Sequence, residues 1–418
     1  MGKRRALTHV GGGVDVRGDD ALGRKLAAAL EVAPAGEDEE EPERAHVHGF
    51  HSYAARMHPV TAARLIGELS GAGDVVLDPF CGSGTVLVES MLLGRNACGS
   101  DVNPIAVSLS AAKTRPRLPE DLARIVEASA AVRAFADRRR RSRAGATRRY
   151  GDEDVALFEP HVLLELDSIR AALDTPERMR DLPLRTDLLL VLSAIVVKLS
   201  RQRGDTGSRL SETRRTRAGF AAELFTRKAE EYVRRLAAFA EGLASPRPAV
   251  DVATADARAL AHLASRSVDA VVASPPYSGT YDYVDHHALR MRWLGLEPGP
   301  FERAEWGARR RYARLDAQAA DDLQQRELGE VLQSVVRVTK RGSHIVLLVA
   351  DSATQTLVLR ADAAVREAAR RNPELHVLAT ASQVRPHFHL PTQRMFARAP
   401  RREHAILLVK RKPGSGGA

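Results

Sequence analysis

Cysteine is scarce in this chain: Cys81 and Cys98 are the only two among 418 residues. Two cysteines cannot build a multi-disulfide framework or a four-cysteine zinc site. The sequence also lacks a charged-then-apolar secretion signal, so we expect a reducing, cytoplasmic setting. The longest apolar stretch, LLLVLSAIVV from Leu188, is well short of the roughly 20 residues that cross a bilayer. It predicts a buried core helix, and we expect no membrane association.

Acidic residues are outnumbered by basic ones. The 63 Lys and Arg residues against 53 Asp and Glu give a formal charge of +10, and the pI is near 9.9. This excess favours a polyanionic partner such as nucleic acid. An arginine-rich and alanine-rich composition raises the pI by itself, however, so charge alone leaves the partner open.

The composition changes along the chain and predicts five segments. Basic, glycine-rich and acidic stretches at the start indicate a mobile arm, and a strand–helix–strand pattern follows. The middle has helical periodicity without a convincing strand, whereas the last part returns to strands and ends in two that predict an antiparallel ribbon at the sheet edge. The segments are 1–45 (arm), 46–114 (first half of a domain), 115–250 (helical insertion), 251–412 (second half) and 413–418 (disordered tail).

A glycine-rich turn follows the first predicted strand, in VVLDPFCGSGTVLVES from Val75. The strand ends on Asp78, and Gly82 and Gly84 permit a tight turn whose backbone can approach a ligand before a helix begins. It is not a phosphate loop, because no Gly-Lys-Ser/Thr follows. It is a poor dinucleotide fingerprint as well, because Leu87 occupies the third glycine position.

A second strand ends on two prolines, in VVASPPYSGTYDYVDHH from Val271. Proline cannot donate to a sheet ladder, so the strand stops there. The rigid loop presents the Ser274 hydroxyl, the Pro275 carbonyl and the Tyr277 ring at the carboxyl end of a strand. In open α/β sheets this is the end where ligands bind.

Together, DPFCGSGT and the later SPPY resemble the S-adenosylmethionine-dependent methyltransferases that modify exocyclic amino groups of bases, of the N4-cytosine and N6-adenine type. The resemblance covers roughly residues 46–114 and 250–412. It implies an α/β fold: the doubly wound, seven-strand class I methyltransferase sheet, which is Rossmann-like, with the cofactor half first. The helical insertion that interrupts it would serve substrate recognition.

The resemblance implies S-adenosylmethionine as the cofactor. The turn from Cys81 to Thr85 would cradle its methionine part, Asp101 would accept from both ribose hydroxyls, and Asp256 would meet the adenine amino group. The segment YAARMHP occupies the place where the family often closes over the cofactor. The predicted cofactor-binding residues are Asp78, Phe80, Cys81, Gly82, Ser83, Gly84, Thr85, Asp101 and Asp256.

The SPPY motif implies the chemistry. An amino group conjugated to a base is a poor nucleophile, and the Ser274 hydroxyl and Pro275 carbonyl would localise its lone pair and aim it at the methyl group. Tyr277 would stack on a base taken out of its helix. The predicted catalytic residues are thus Ser274, Pro275, Pro276 and Tyr277. Serine at the first position resembles the cytosine-N4 enzymes more than the adenine-N6 enzymes, and neither cysteine follows a proline, which disfavours cytosine-C5 methylation.

Arginine runs predict contacts with phosphates. The run RQRGDTGSRLSETRRTR resembles a loop that tracks a nucleic-acid backbone, whereas DRRRRSRAGATRRY from Asp137 fits phosphate contact and a solvated helix equally. No metal site is expected from the histidine clusters, which lack cysteine or an ordered carboxylate spacing. The predicted nucleic-acid contacts are Arg201, Arg203, Arg209, Arg214, Arg215 and Arg217.

These features predict a site-specific DNA methyltransferase acting on cytosine N4 or adenine N6. Two alternatives stay open: an RNA amino methyltransferase of the guanine-N2 type, and a non-catalytic DNA-binding subunit that keeps the fold. The sequence leaves open the recognition site, a restriction-nuclease partner and the oligomeric state.

Overall fold

The computed structural model describes residues 12–36, 39–202, 216–354, 356–386 and 390–411. Its centre is an eight-stranded sheet in the order β1-β9-β10-β6-β5-β2-β3-β4, and β7 and β8 form a small separate hairpin. The strands are β1 (Val14–Gly18), β2 (Val75–Asp78), β3 (Asn96–Asp101), β4 (Val250–Thr254), β5 (Val268–Ala273), β6 (Thr339–Ala350), β7 (Ser352–Ala353), β8 (Val358–Leu359), β9 (Leu375–Val384) and β10 (Arg402–Lys410).

The predicted seven-strand class I methyltransferase sheet is confirmed in β2 to β6 with β9 and β10. Strands β2, β3, β4, β5 and β6 pair in parallel, and the predicted ribbon of β9 and β10 joins β6 antiparallel. Val76 and Leu77, neighbours on β2, belong to different hydrophobic clusters. Since successive side chains of a strand point to opposite faces, both faces of the sheet are covered, which explains why its strands read as continuous apolar runs.

The prediction of a mobile arm over residues 1–45 is wrong for its centre. β1 pairs antiparallel with β9, from Val14 opposite Gln383 to Gly18 opposite Ala379, and therefore replaces the ribbon as the sheet edge. A helix begins directly after it, capped by the Asp19 side chain, and buries Leu26 and Leu30. Burial of these side chains offsets the entropy cost of ordering the segment. Residues 1–11 and the predicted tail 413–418 lie outside the described part.

Helices surround the sheet and form the middle of the chain. Between residues 115 and 250 the described elements before β4 are helices, and the apolar stretch from Leu188 lies in one whose residues 190–196 are all buried. This confirms the predicted core helix. The helices are α1 (Asp20–Leu30), α2 (Pro59–Leu69), α3 (Thr85–Leu92), α4 (Pro104–Thr114), α5 (Pro119–Arg141), α6 (Asp152–Leu157), α7 (Pro160–Leu173), α8 (Pro176–Arg180), α9 (Leu182–Leu199), α10 (Phe220–Glu241), α11 (Tyr283–Leu294), α12 (Pro298–Ala304), α13 (Arg309–Tyr312), α14 (Ala317–Val338), α15 (Ala361–Arg370) and α16 (Leu390–Gln393).

The sheet register brings the two sequence motifs together. β2 is the central strand between β3 and β5, with Leu77 opposite Cys98 on one side and opposite Val271 on the other. Because these strands are parallel, Asp78, Asp101 and Ser274 emerge at the same edge of the sheet. Within the described residues, no helix is both long and apolar enough to span a membrane.

Candidate active site

A cleft opens at the carboxyl edge of β2, β3, β4 and β5. It is lined by residues from both motifs, which the chain separates by its entire helical middle. The predicted residues on its wall are Asp78, Phe80, Cys81, Gly82, Ser83, Thr85, Asp101, Asp256, Ser274 and Pro276. Three other predicted cofactor-binding or catalytic residues, Gly84, Pro275 and Tyr277, are adjacent in the chain to residues of this wall.

The glycine turn is held by contacts that leave no room for a side chain. Gly84 has φ +81°, and a Cβ there would lie 2.9 Å from the Ser110 hydroxyl oxygen. The Ser110 hydroxyl donates to the Gly82 carbonyl at 2.9 Å, and buried Lys113 donates to the Ser83 carbonyl at 2.7 Å. Helix α4 therefore fixes the shape of the turn from below.

Two carboxyls, the buried one of Asp78 and the half-buried one of Asp101, lie beside the turn. Asp101 accepts from the backbone N–H of Gly82 at 3.0 Å and of Asn103 at 2.8 Å, and Asp78 accepts from the N–H of Phe80 at 3.0 Å. Burial raises the pKa of Asp101 to about 6 and that of Asp78 to about 8. Both groups thus titrate close to neutral pH, where a bound ligand can set their charge.

Several buried polar groups of the cleft have no hydrogen-bond partner among the described residues. They are the hydroxyls of Ser83 and Thr85 and the indole N–H of Trp306, whose ring lies 5.0 Å from that of Phe80. Buried donors without acceptors are costly, so these groups fit a ligand that brings acceptors and a flat ring. S-adenosylmethionine has a carboxylate, two ribose hydroxyls and an adenine ring, and the residues present fit it.

Asp256 lies on the cleft wall but is already paired. Its carboxylate takes two hydrogen bonds from Nε of Arg258, at 2.9 and 3.0 Å, and another from the Nη2 group. An adenine amino group would therefore share this carboxylate with Arg258. Arg258 follows Asp256 by two residues in the segment ATADAR, but this sequence alone does not indicate that the two side chains pair.

The SPPY loop turns away from the cleft after Pro276. The Tyr277 hydroxyl donates to Oε1 of Glu403 at 3.2 Å, and the guanidinium carbon of Arg401 lies 6.0 Å from its ring centre. Gly307, with φ +67°, packs beneath the loop, where a Cβ would lie 3.3 Å from Cα of Ser278. The Tyr277 side chain thus lies against Glu403 of β10 and the preceding Arg401.

The segment around Tyr53, which the sequence indicated only loosely, closes the cleft. Asn103 donates to the Tyr53 hydroxyl at 3.1 Å, and the ring packs above Gly82. The preceding His51 and Ser52 are bound by the helical middle and by α11. Nε2 of His51 lies 2.9 Å from the Ser193 hydroxyl, and Nη2 of Arg290 donates to the Ser52 hydroxyl at 2.9 Å.

The predicted nucleic-acid contacts are described only in part. Arg203, Arg209, Arg214 and Arg215 lie outside the described residues. Arg201 is half-buried and its backbone N–H donates to the Leu157 carbonyl, whereas Arg217 is largely exposed and pairs with Glu223.

The run RRRYAR, which begins at Arg309, contributes arginines to internal ion pairs. Arg310 pairs with buried Glu305 at 2.6 Å, and Arg311 pairs with buried Glu327 at 2.9 Å. These two side chains hold the loop that carries Trp306 and Gly307.

Buried His48 and half-buried His46 lie close to Glu89 of α3. Nε2 of His48 is 2.6 Å from Glu89, and the His46 ring lies 4.8 Å from that of His48. Burial, followed by the neighbouring charge of Lys113, lowers the pKa of both histidines. The neighbouring cations Lys113, Arg56 and Arg235 oppose a divalent ion at this cluster.

Comparison with known proteins supports the resemblance to amino-methyltransferases. Residues 34–112 match the DNA methylase family of N6 and N4 methyltransferases. The resemblance to the amino-methyltransferase family is confirmed for this segment. S-adenosylmethionine is the methyl donor of the family.

Curated relatives match the chain over short segments. The Type II methyltransferase M.MjaII of Methanocaldococcus jannaschii is 41% identical over 59 residues, and M.MvaI of Kocuria varians is 38% identical over 82 residues. A tRNA (guanine(10)-N2)-dimethyltransferase of Methanothermobacter thermautotrophicus is 45% identical over 53 residues. These segments span 14%, 19% and 12% of the chain and 11%, 18% and 16% of the relatives.

Solved structures resemble the chain more distantly. TrmN from Thermus thermophilus aligns with a TM-score of 0.35 and 11% identity, over 89% of this chain and 55% of that protein. The rRNA methyltransferase aviRa from Streptomyces viridochromogenes gives 0.32 and 14%, over 86% and 88%. The fold assignment rests on the strand order of the sheet, and similarities at this level do not contribute to it.

Proposed function

We propose that this protein transfers a methyl group from S-adenosylmethionine to an exocyclic amino nitrogen of a DNA base. The observation that carries the proposal is that Ser274 lines the same cleft as the glycine turn and Asp101. A cofactor site alone would fit many methyltransferases. A rigid Ser-Pro-Pro loop beside it supplies what an amino acceptor needs.

The residues of the cleft have separate roles in this proposal. Asp101 and the turn from Cys81 to Thr85 hold the cofactor, which supplies an electrophilic methyl group on a sulfonium sulfur. Ser274 and the Pro275 carbonyl accept hydrogen bonds from the amino group and orient its lone pair. The amino nitrogen would take this methyl group as its bond to sulfur breaks, and would lose one proton to solvent.

The preferred base is cytosine, methylated at N4. Serine before the two prolines supports this choice over adenine N6, through the resemblance to cytosine-N4 enzymes. The match to Type II methyltransferases supports DNA as the substrate. The match to a tRNA guanine-N2 enzyme favours RNA as the second candidate.

Methyl transfer from labelled S-adenosylmethionine tests the proposal. Genomic DNA and total RNA are offered in parallel to the wild type and to Ser274→Ala, and the labelled nucleosides are identified by mass. We expect N4-methylcytosine in DNA with the wild type and at least about a hundredfold less with the variant, because positioning contributes strongly to the barrier. Cofactor affinity, measured calorimetrically, should be equal in the two proteins.

The outcomes separate the candidates. N6-methyladenine in DNA would keep the reaction class and correct the base. Label confined to RNA would select the second candidate. Cofactor bound without label in either nucleic acid would favour the non-catalytic subunit.

A further inference from the structure

The end of α5 and the segment after it carry arginines that the proposed chemistry does not use. Residues 133–149 hold eight arginines and one acidic residue, Asp137. Four of the eight are engaged with carboxylates of the domain. These are Arg133 and Arg140 with Asp137, Arg139 with Asp167, and Arg148 with Asp167 and Asp174.

The other four arginines face solvent. Arg138, Arg141, Arg143 and Arg149 are exposed, and within the described ranges none has an acidic partner at ion-pair distance. The helix dipole accounts for cations in the last turn of α5, but Arg143 and Arg149 lie beyond that turn. Four exposed like charges within a stretch of twelve residues repel each other, and a polyanion relieves that repulsion.

The helix connections bring this basic end to the cleft side of the sheet. α4 begins at the carboxyl end of β3 and ends at Thr114, whose carbonyl accepts from Arg247 just before β4. α5 then returns over 23 residues, a length of about 34 Å. Its last turn reaches Gly219, the start of α10, where the Arg140 guanidinium packs. The arginines thus lie beyond the carboxyl edge of the strands, as the cleft does.

We propose that Arg138, Arg141, Arg143 and Arg149 form a binding surface for the phosphate backbone of DNA beside the target base. The assignment rests on the proposed function for its substrate. The sequence analysis favoured a different run, RQRGDTGSRLSETRRTR, for phosphate contacts. We prefer the present four side chains because they are exposed and lack acidic partners in the described structure, whereas Arg217 of the other run pairs with Glu223. Such contacts give affinity without base selectivity.

A salt titration of DNA binding tests this surface. Dissociation constants for a duplex oligonucleotide are measured at several salt concentrations for the wild type and for a variant with glutamine at all four positions. A control variant carries glutamine at four exposed arginines distant from this surface: Arg17, Arg24, Arg266 and Arg341. Both variants lose the same charge.

We expect the first variant to bind DNA at least about tenfold more weakly at low salt, and to flatten the log–log salt slope by about 2 to 4. The control variant should keep nearly the wild-type slope. Equal salt slopes for the first variant and the wild type would overturn the proposal. Equal losses of DNA affinity in the two variants would also overturn it. Tighter binding of a tRNA transcript than of the duplex would overturn the choice of DNA.

Cofactor affinity distinguishes failure of the proposed arginine surface from failure of the proposed function. Both variants should bind S-adenosylmethionine as the wild type does, because none of the eight positions lines the cleft. A wild type that binds neither cofactor nor nucleic acid would remove the proposed function itself. Intact cofactor binding with unchanged salt slopes would remove only the arginine surface.

Discussion

The carboxylate of Asp101 accepts a hydrogen bond from the backbone N–H of Gly82 at 3.0 Å. The last residue of β3 therefore fixes the glycine turn that follows β2. Burial raises the pKa of Asp101 to about 6, so the charge of this contact changes close to neutral pH. The same group is assigned to the ribose hydroxyls of the cofactor.

Cofactor affinity should fall as pH decreases through about 6. A protonated Asp101 loses acceptor capacity for the two hydroxyls, and a hydrogen bond to a charged group contributes about 1.5 to 3 kcal/mol. Asp101→Asn should bind S-adenosylmethionine roughly ten- to a hundredfold more weakly at neutral pH, with a flatter pH profile. Calorimetric titration across this pH range checks it, and an Asp101→Asn profile that superimposes on the wild type contradicts it.

Gly84→Ala should destabilise the fold. The positive φ and the Ser110 hydroxyl, 2.9 Å from the new Cβ, together oppose any side chain. Such strain costs about 1 to 3 kcal/mol in the free energy of unfolding. Gly67→Ala is the matched control, because Gly67 is exposed on α2 with nothing within 4 Å of its Cβ position. Chemical denaturation should show a loss only for the first variant, and equal stabilities would refute the steric argument.

Tyr277→Phe should retain most activity, whereas Tyr277→Ala should lose it. Stacking on a base is worth about 1 to 3 kcal/mol and needs the ring, while the hydroxyl serves Glu403. We expect kcat/KM for DNA to fall about ten- to a hundredfold in the alanine variant, with cofactor affinity unchanged in both. A phenylalanine variant as impaired as the alanine variant would instead assign the role to the hydroxyl.

Asp78→Asn should change the pH dependence of stability. Burial raises the pKa of Asp78 from 3.8 to about 8, so between these values the folded state holds a proton that the unfolded state has released. This group makes the free energy of unfolding decrease with rising pH, by about 1.4 kcal/mol per pH unit. The asparagine variant lacks this contribution. Urea denaturation between about pH 5 and about pH 7 should therefore give it a less negative slope than the wild type, and parallel slopes would count against the shifted pKa.

The elements that the sequence predicts well are those whose signals are local. Two prolines end β5, a glycine turn ends β2, and both strands read as apolar runs because helices cover both faces of the sheet. The cleft follows from these strand ends, since parallel strands carry their ligands at one edge. That is why Asp78, Asp101 and Ser274 could be named before the fold was known.

Features that depend on distant partners were missed. β1 is only five residues long and is stabilised by β9, near the other end of the chain, so its sequence resembled an unstructured arm. Trp306 lies in a loop without a repeating pattern. The ion pairs of Arg310 with Glu305 and of Arg311 with Glu327 are recognisable only in three dimensions.

The attachment of His51 and Ser52 to Ser193 and Arg290 has a consequence for turnover. The segment that closes the cleft cannot move outward alone, because its hydrogen bonds to α9 and α11 would have to break or those helices would have to move with it. Cofactor entry and product departure are therefore coupled to the position of the helical insertion. A substrate that binds the helical insertion would then change how long the demethylated cofactor stays bound.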